Sequence, residues 1–460
     1  MPFLRAFLLS LFLSASAVAQ PTALVGATVY DGTGAVLEDA ALVVEDGQIT
    51  CVGECRVPAG AETADLGGRF VTPGLVDAHV HYGQTGWLDG RPDSGVGTDV
   101  YDYDQLQTDL EADPDRWHRA YLCSGVTAVF DPGGMPWTID VGDEERTDRP
   151  HVRSAGPLLT HFEPVFSILA ANGENTFLPM QTDDEAVASV RQLAERGADA
   201  IKVWYLNPQP DQRAALDARL MRIGAEARAH GLPLIVHATE LVNAKVALRA
   251  GASMLVHSVE DAPVDDEFVR LAGAARTVYA PTLGVGRNWR RALASVGLGA
   301  VPVLDDPNSC VDAETRRVIA GAPALSSGMS PEAVFAMFVD AGREEAMMAA
   351  NLARVHAAGI PVVAATDAGN PLTLHGPSIY AELEAMEAAG LSPTDVLEAA
   401  TRNGAAMMGE LDRLGTLEVG KLADLIVLTE DPGASSSAFR SLTHVMRGGV
   451  LRAVSELRAD

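Results

Sequence analysis

Short apolar runs rich in valine, isoleucine and alanine recur along this chain. Each is followed by a longer stretch whose apolar residues return every three or four positions. Eight such runs lie at 75–79 (LVDAH), 126–131 (VTAVFD), 151–156 (HVRSAG), 200–204 (AIKVW), 233–237 (PLIVH), 254–257 (MLVH), 277–282 (TVYAPT) and 361–367 (PVVAATD). Runs of this length and β-branched content read as buried strands, and the Ala-, Leu-, Glu- and Arg-rich stretches between them read as helices. One helix start is marked by Ser392-Pro393-Thr394-Asp395, an N-cap followed by a first-turn proline. Strand and helix alternating eight times predict a parallel barrel. The segment before Phe70 instead carries short strands separated by turns, and strands return after Gly415 in LADLIVL and THVMRGGVL. The predicted fold is therefore α/β: a (β/α)8 TIM barrel over 71–412, with a small β-sandwich built from both chain ends, 20–70 and 413–460. The loops after the first, third and seventh strands are long and should roof the barrel mouth.

Composition narrows the picture without changing it. The chain has 460 residues, 47% of them hydrophobic, which suits a globular protein with a large core. Residues 1–19 read as a signal peptide: Arg5 near the start, an apolar AFLLSLFLS stretch, and Ala17-Val18-Ala19 before Gln20. The apolar run is too short for a membrane anchor, so a secreted or periplasmic protein is expected, with no membrane attachment after cleavage. The formal net charge of −28 argues against a nucleic-acid partner. It fits a salt-rich habitat and an ordinary acidic secreted protein equally well. Export permits disulfides among the four cysteines. Cys51 and Cys55 flank a turn-like Val-Gly-Glu and could form a small hairpin bridge, whereas Cys123 reads as a buried small apolar residue. A homo-oligomer is left open.

The chemistry enters at the strand ends. His79, His81, Lys202, His237, His257 and Asp367 each sit at the C-terminal end of an apolar run, and side chains there converge on one mouth of a parallel barrel. Taken singly they say little, since a lone His-x-His is more often ordinary strand than ligand, and Asp367 could cap a helix. Two imidazoles two residues apart share one face of a strand, however, and a buried unpaired ammonium is costly. Imidazoles together with carboxylate oxygens are the donor set that borderline divalent metals accept. Near the mouth, His161, Trp204, Tyr205, Tyr279 and Arg287 are candidate substrate contacts, with Arg287 and Arg290 able to hold a carboxylate; each arginine also fits a solvated helix face. His118, His151, His230, His375 and His444 fall outside the pattern and read as core or surface.

The order His-x-His, Lys, His, His, Asp resembles that of the metal-dependent amidohydrolase superfamily. FVTPGLVDAHVH, HATELVNAKVALRAGASMLVHSVED and LGTLEVGKLADLIVL are similar to that family's first barrel strand, its fifth and sixth strands with the intervening helix, and its return into a β-sandwich. The nearest subgroup is the imidazolonepropionase-like one, which includes dipeptidases that cleave before Pro or Arg. The resemblance implies that His79 and His81 bind a first metal and His237 and His257 a second. It further implies that Asp367 contacts the first metal and moves protons, and that Lys202 is N-carboxylated and bridges both. Two divalent ions, zinc first, follow from it. Imidazolonepropionases proper lack the lysine and use one metal, so Lys202 points to the two-metal branch. The function implied is a secreted binuclear hydrolase that cleaves an amide bond in a small substrate, a dipeptide first, by metal-activated hydroxide. A cyclic amide, lactone or imidazolone hydrolase is the alternative. A catalytically silent binding module would be expected to have lost some of the six ligands, and all are present.

Overall fold

A computed structural model describes residues 20–142 and 145–459; the expected signal peptide at 1–19 lies outside the described residues. The described chain opens with five strands of one sheet. β1 (Thr22–Tyr30) pairs antiparallel with β2 (Val36–Glu45), which pairs with β3 (Gln48–Gly53). On its other side β1 pairs in parallel with β4 (Glu62–Asp65) and then with β5 (Phe70–Pro73). A disulfide between Cys51 and Cys55 closes the end of β3.

From β5 the chain passes directly into a second architecture. The passage leaves no room for a side chain, since a Cβ on Gly74 would lie 2.1 Å from Thr127 Oγ1. β6 (Leu75–Asp77), β7 (Val126–Asp131) and β8 (His151–Ser154) are parallel neighbours. β9 (Leu158–Thr160) continues the line of β8 after a break at 155–157. A short hairpin of β10 (Ala170–Ala171) and β11 (Glu174–Asn175) follows, and then β12 (Phe177–Pro179), parallel to β9. β13 (Ile201–Trp204), β14 (Leu234–His237), β15 (Met254–Val256) and β16 (Val278–Ala280) carry the parallel pairing onward.

Hydrogen bonds close these strands into a ring. Between β8 and β13, Asp199 N donates to Ser154 O at 2.8 Å and the Asp199 carboxylate accepts Ser154 N at 2.8 Å. The eighth apolar run, 361–367, forms no regular strand yet fills the remaining position. Val363 N donates to Tyr279 O at 3.0 Å on one side, and on the other Ala78 N donates to Ala364 O at 2.9 Å and Asp367 N to His79 O at 2.8 Å.

The two faces of these strands feed different cores, as a period of two requires. Val76, Ala128, Ile235, Met254, Ala280 and Val363 belong to an inner cluster to which every position of the ring contributes. Val129, Val203, Val236, Leu255 and Tyr279 face the outer cluster, where helix residues such as Leu220 and Ile223 cover them.

Past the ring, the helix Pro393–Ala399 starts where the sequence predicts, with Ser392 capping Asp395 N. β17 (Leu425–Leu428) then returns to the first sheet and pairs antiparallel with β5, Ile426 opposite Thr72. β18 (Leu442–Arg447) and β19 (Val450–Ala453) extend that sheet. Leu24, Leu42, Ile49, Val71, Leu425 and Met446 form its core, drawn from both ends of the chain.

One expectation is corrected here. Cys123 is not a free apolar filler: it forms a disulfide with Cys310, 187 residues away. The bond joins the start of the β7 unit to the long connection after β16. The two residues are too far apart in sequence for spacing to have paired them.

Candidate functional site

The C-terminal ends of the ring strands surround a cavity of about 460 Å³. His79, His81, Lys202, His237, His257 and Asp367 all line it. The parity of the strands explains part of this. Lys202 follows inward-facing Ala200 by two, and His237 and Asp367 follow inward-facing Ile235 and Ala365 by two.

Three donors converge closely. His79 Nε2 lies 3.2 Å from His81 Nε2, and Asp367 Oδ1 lies 2.9 Å from His81 Nε2 and 3.3 Å from His79 Nε2. His81 Nδ1 is 2.5 Å from the carbonyl of Gly133. That contact requires the proton on Nδ1, so in the neutral ring Nε2 turns a lone pair toward the other two donors. His79 Nδ1 and Asp367 Oδ1 are buried without an aligned hydrogen-bond partner. A proton on His81 Nε2 can bridge to Asp367 Oδ1, and with that proton removed His79 Nε2, His81 Nε2 and Asp367 Oδ1 offer three donor atoms to one point, a set that fits a divalent metal.

The second half of the cluster sits beside the first. The His257 ring is 5.2 Å from that of His79 and 4.5 Å from that of His237, centre to centre. His257 Nδ1 lies 4.0 Å from Asp367 Oδ2 and 2.7 Å from Thr282 Oγ1, which fixes how the ring is turned. His257, Thr282 and Asp367 all hold positive φ, at 70°, 46° and 63°. Left-handed backbone at non-glycine residues is costly, and it concentrates where side chains must be aimed.

The electrostatics follow from burial. Lys202, 2% exposed, has no hydrogen bond or ion pair to its ammonium among the described residues; burial lowers its pKa to about 7, opposed by Asp367 and Asp131. Burial holds His79 and His237 well below the usual imidazole value and takes His257 down to about 4, so all three are neutral donors. For His81 burial acts the same way, but Asp131 and Asp367 outweigh it and raise the pKa to about 9. Asp367 is held well below the usual carboxylate range: burial opposes this, and the surrounding imidazoles, His79 first, outweigh it.

Of the residues named as substrate contacts, Trp204 lines the cavity. The other four do not. Tyr279 has the opposite strand parity from Ala280, faces the outer core, and accepts Val259 N on its hydroxyl. The Tyr205 hydroxyl donates to Asp217, and the His161 ring lies against Tyr205 at 5.9 Å. Arg287 opens onto a separate cleft with Asp305 and Glu384. In its helix, Val285–Gly297, the cavity face is carried by Val285 and Trp289, four apart, which turns Arg287 away. Arg290 is engaged by Glu344 and Glu345.

Sequence reasoning missed several residues that shape the site. Asp77 accepts Thr366 N at 3.0 Å, Thr366 Oγ1 at 2.6 Å and His79 N at 3.3 Å, tying the first and eighth ring positions together under the ligands. Asp131 accepts Tyr82 N and Gly133 N, both at 2.9 Å, and so positions the carbonyl that orients His81. Arg91, Glu260 and Trp289 line the cavity from loops and a helix that no strand pattern marks.

Comparison with known proteins places this geometry. The model of the amidohydrolase family matches residues 70–452. An imidazolonepropionase from Mesorhizobium japonicum is 28% identical over 437 residues, covering 87% of this chain and 89% of that protein. A dihydroorotase from Anaeromyxobacter dehalogenans is 29% identical over 282 residues, covering 58% of this chain and 55% of its own. Among solved structures, an Xaa-Pro dipeptidase with bound methionine in the active site superposes with a TM-score of 0.70 at 21% identity, covering 94% of this chain and 100% of that one. An ochratoxinase from A. niger superposes with a TM-score of 0.67 at 22% identity, covering 94% of this chain and 96% of its own. The fold they share is a TIM-barrel fold of mixed α and β content.

Proposed function

The chain belongs to the amidohydrolase family and is a hydrolase of carbon–nitrogen bonds, and from that premise we propose that it is an exported two-metal enzyme cleaving the amide bond of a small substrate, a dipeptide first. The carrying observation is the convergence of His79, His81 and Asp367 on one point, with Lys202, His237 and His257 around the same cavity. In this reading the strand ring is a (β/α)8 barrel over 71–412, and the sheet from both chain ends is its small β-sandwich domain.

The same residues divide into two half-sites. His79, His81 and Asp367 would hold one divalent ion, zinc first, and His237 and His257 the other. Lys202, carboxylated on its amine, would reach both. Its burial without a counter-ion supports this, because an uncharged amine reacts with carbon dioxide and the resulting carboxylate exchanges a costly buried cation for an anion between donors. Ions bound there would polarise a carbonyl and acidify water. Asp367, with one oxygen beside His81 and the other toward His257, is placed to accept a proton from the attacking water and hand it to the departing amine. Trp204 and Trp289 give the cavity part of its apolar lining.

Export is supported by two disulfides and the absence of a free cysteine among the described residues, since such bonds persist in oxidising compartments. Among the described residues no helix is long and apolar enough to cross a membrane. The imidazolonepropionase and dihydroorotase relatives favour a second reading, hydrolysis of a cyclic amide or imidazolone.

A dipeptide library incubated with the metal-loaded protein, beside a panel of five- and six-membered cyclic amides, separates the two readings. Turnover of dipeptides alone supports the first, turnover of cyclic amides alone supports the second, and turnover of neither rejects both. N-terminal sequencing of the native protein should recover a chain starting near Gln20.

A further inference from the structure

Two ionisable side chains form poles on the cavity wall, each tied to a different half of the proposed ligand cluster, and Asp93, ion-paired to one of them, lines the cavity beside it. One pole is Arg91, on the loop after β6. Its Nε and Nη2 donate to Asp93 at 2.8 and 2.6 Å, its Nη1 donates to Asn370, and its guanidinium lies 4.6 Å from the Trp289 ring centre. Asn370 in turn donates to Asp367 O at 3.2 Å, so this pole is fixed to the His79–His81–Asp367 half. A guanidinium has five N–H donors; three are used here, which leaves two for a ligand.

The other pole is Glu260, three residues beyond His257. Its backbone N donates to Thr239 O at 2.8 Å, which fixes it to the loops after β14 and β15 and so to the His237–His257 half. Its carboxylate lines the cavity and makes no hydrogen bond or ion pair among the described residues. Burial first, then the neighbouring Glu344 and Glu240, raise its pKa to about 7, with Arg290 only partly offsetting them. The cavity wall also carries apolar and aromatic side chains: Leu158, Phe177, Trp204 and, against Arg91, Trp289.

We propose that Arg91 and Glu260 are specificity-determining residues that select an amide whose two ends carry opposite charges, the carboxylate at Arg91 and the ammonium at Glu260. The geometry gives the substrate a direction. Its carboxyl end points to the His79–His81–Asp367 half, its amino end to the His237–His257 half, and its scissile amide lies between them. Apolar side chains would pack against the apolar and aromatic wall. A zwitterionic dipeptide with a free amino terminus satisfies both poles. An N-acylated amino acid satisfies only Arg91, and a neutral cyclic amide satisfies neither. A free ammonium also relieves the repulsion stored at Glu260, so the two interactions reinforce each other.

This inference rests on the dipeptide reading, and its test separates the two. Steady-state rates of the metal-loaded protein are compared for L-leucyl-L-phenylalanine, its N-acetyl derivative and its C-terminal amide. Removing either charge should lower kcat/KM by about tenfold to a hundredfold, the range for a hydrogen bond to a charged group, mainly through KM. Glu260→Gln should narrow the gap between the free and N-acetylated peptides while leaving the gap to the amide. Arg91→Met should do the converse, and Arg91→Lys should restore part of it. A merely structural role would lower all three rates together and leave both gaps in place. Equal rates on all three peptides would overturn the assignment while leaving the hydrolase reading intact. No hydrolysis of any of them would instead count against the dipeptide reading itself.

Discussion

His151 and Asp424 meet at 2.8 Å across the seam between the strand ring and the terminal sheet, although 273 residues separate them. Arg447 completes the group, with Nη2 3.0 Å from His151 Nδ1 and Nη1 3.6 Å from Asp424 Oδ1. All three side chains are nearly fully buried. Burial opposes charge on Asp424, but the His151 contact and Arg447 outweigh it and hold the carboxyl below its usual value.

That direction sets a pH dependence. An unfolded aspartate takes up its proton near pH 4, whereas the folded one resists until lower pH. Asp424 therefore contributes its full stabilisation at neutral pH and loses it as the pH falls below about 4. Asp424→Ala leaves the buried Arg447 with only the exposed Glu145 as a counter-ion, at 3.4 Å, and should cost about 2–4 kcal/mol at pH 7, somewhat less than a fully orphaned buried charge. Denaturant unfolding of both proteins across pH 3–7 checks this. The gap should shrink toward the acid end, and a gap independent of pH would show that the pair is not ionised.

The Cys123–Cys310 bond encloses a loop of 187 residues, the Cys51–Cys55 bond one of four. Loop-closure entropy makes the long bridge the more stabilising, by about 2–4 kcal/mol. Cys123→Ala with Cys310→Ala should lower Tm by several degrees. Cys51→Ala with Cys55→Ala should change it much less. Calorimetry that reversed this order would remove the long bridge from the account of stability.

Lys202→Ala should bring the bound metal of the loaded protein from about two ions per chain to one or fewer, with the far-ultraviolet circular dichroism kept. Because the missing group is a carboxylate, propionate should restore part of the metal and part of the rate. Elemental analysis showing two ions in the variant without added acid would end the bridging role.

Asp367→Asn keeps the shape and a carbonyl oxygen but not the base. Turnover should fall by about two to four orders of magnitude, the contribution of a general acid–base group, with metal content little changed. Near-normal turnover would move the proton path to another residue.

Thr282→Ala removes the hydroxyl that holds His257. Losing a hydrogen bond behind a metal ligand typically costs about tenfold to a hundredfold in metal affinity. A chelator competition titration should show one weakened ion and one unchanged. Unchanged affinity at both would make Thr282 a bystander.

The convergence of His79, His81, Lys202, His237, His257 and Asp367 on one cavity was legible because chemistry and periodicity coincide at them. An imidazole or a lysine at the end of a β-branched run breaks the apolar pattern that surrounds it, as at Lys202 in AIKVW and His237 in LIVHA. The run at 361–367 was legible as a ring member for the same reason, although its pairing is too irregular to form a strand. Side-chain direction turns on single residues, which an apolar run does not mark. Tyr279 lies one residue from an inward-facing alanine, and one residue is enough to turn it outward. Arg287 lost its place by 100° steps around a helix rather than by distance along the chain. Arg91 and Glu260 were silent because loop backbone follows no period, so nothing in the sequence marks which of its charges face the cavity. The Cys123–Cys310 and His151–Asp424 contacts join segments that only the closed ring brings together.

The terminal sheet gives the order of synthesis a structural meaning. β5 has β1 as its first neighbour within the opening residues, but its second is β17, and the β18–β19 edge comes last of all. A chain emerging from the ribosome therefore carries an open strand edge on β5 until its final tenth is made, although every ring position is present once residues 361–367 have emerged. If the chain is exported unfolded, in line with the export proposed above, this late closure would be an advantage: the native terminal sheet waits on residues that leave the ribosome near the end, and the cross-link to Cys310 would wait for an oxidising compartment.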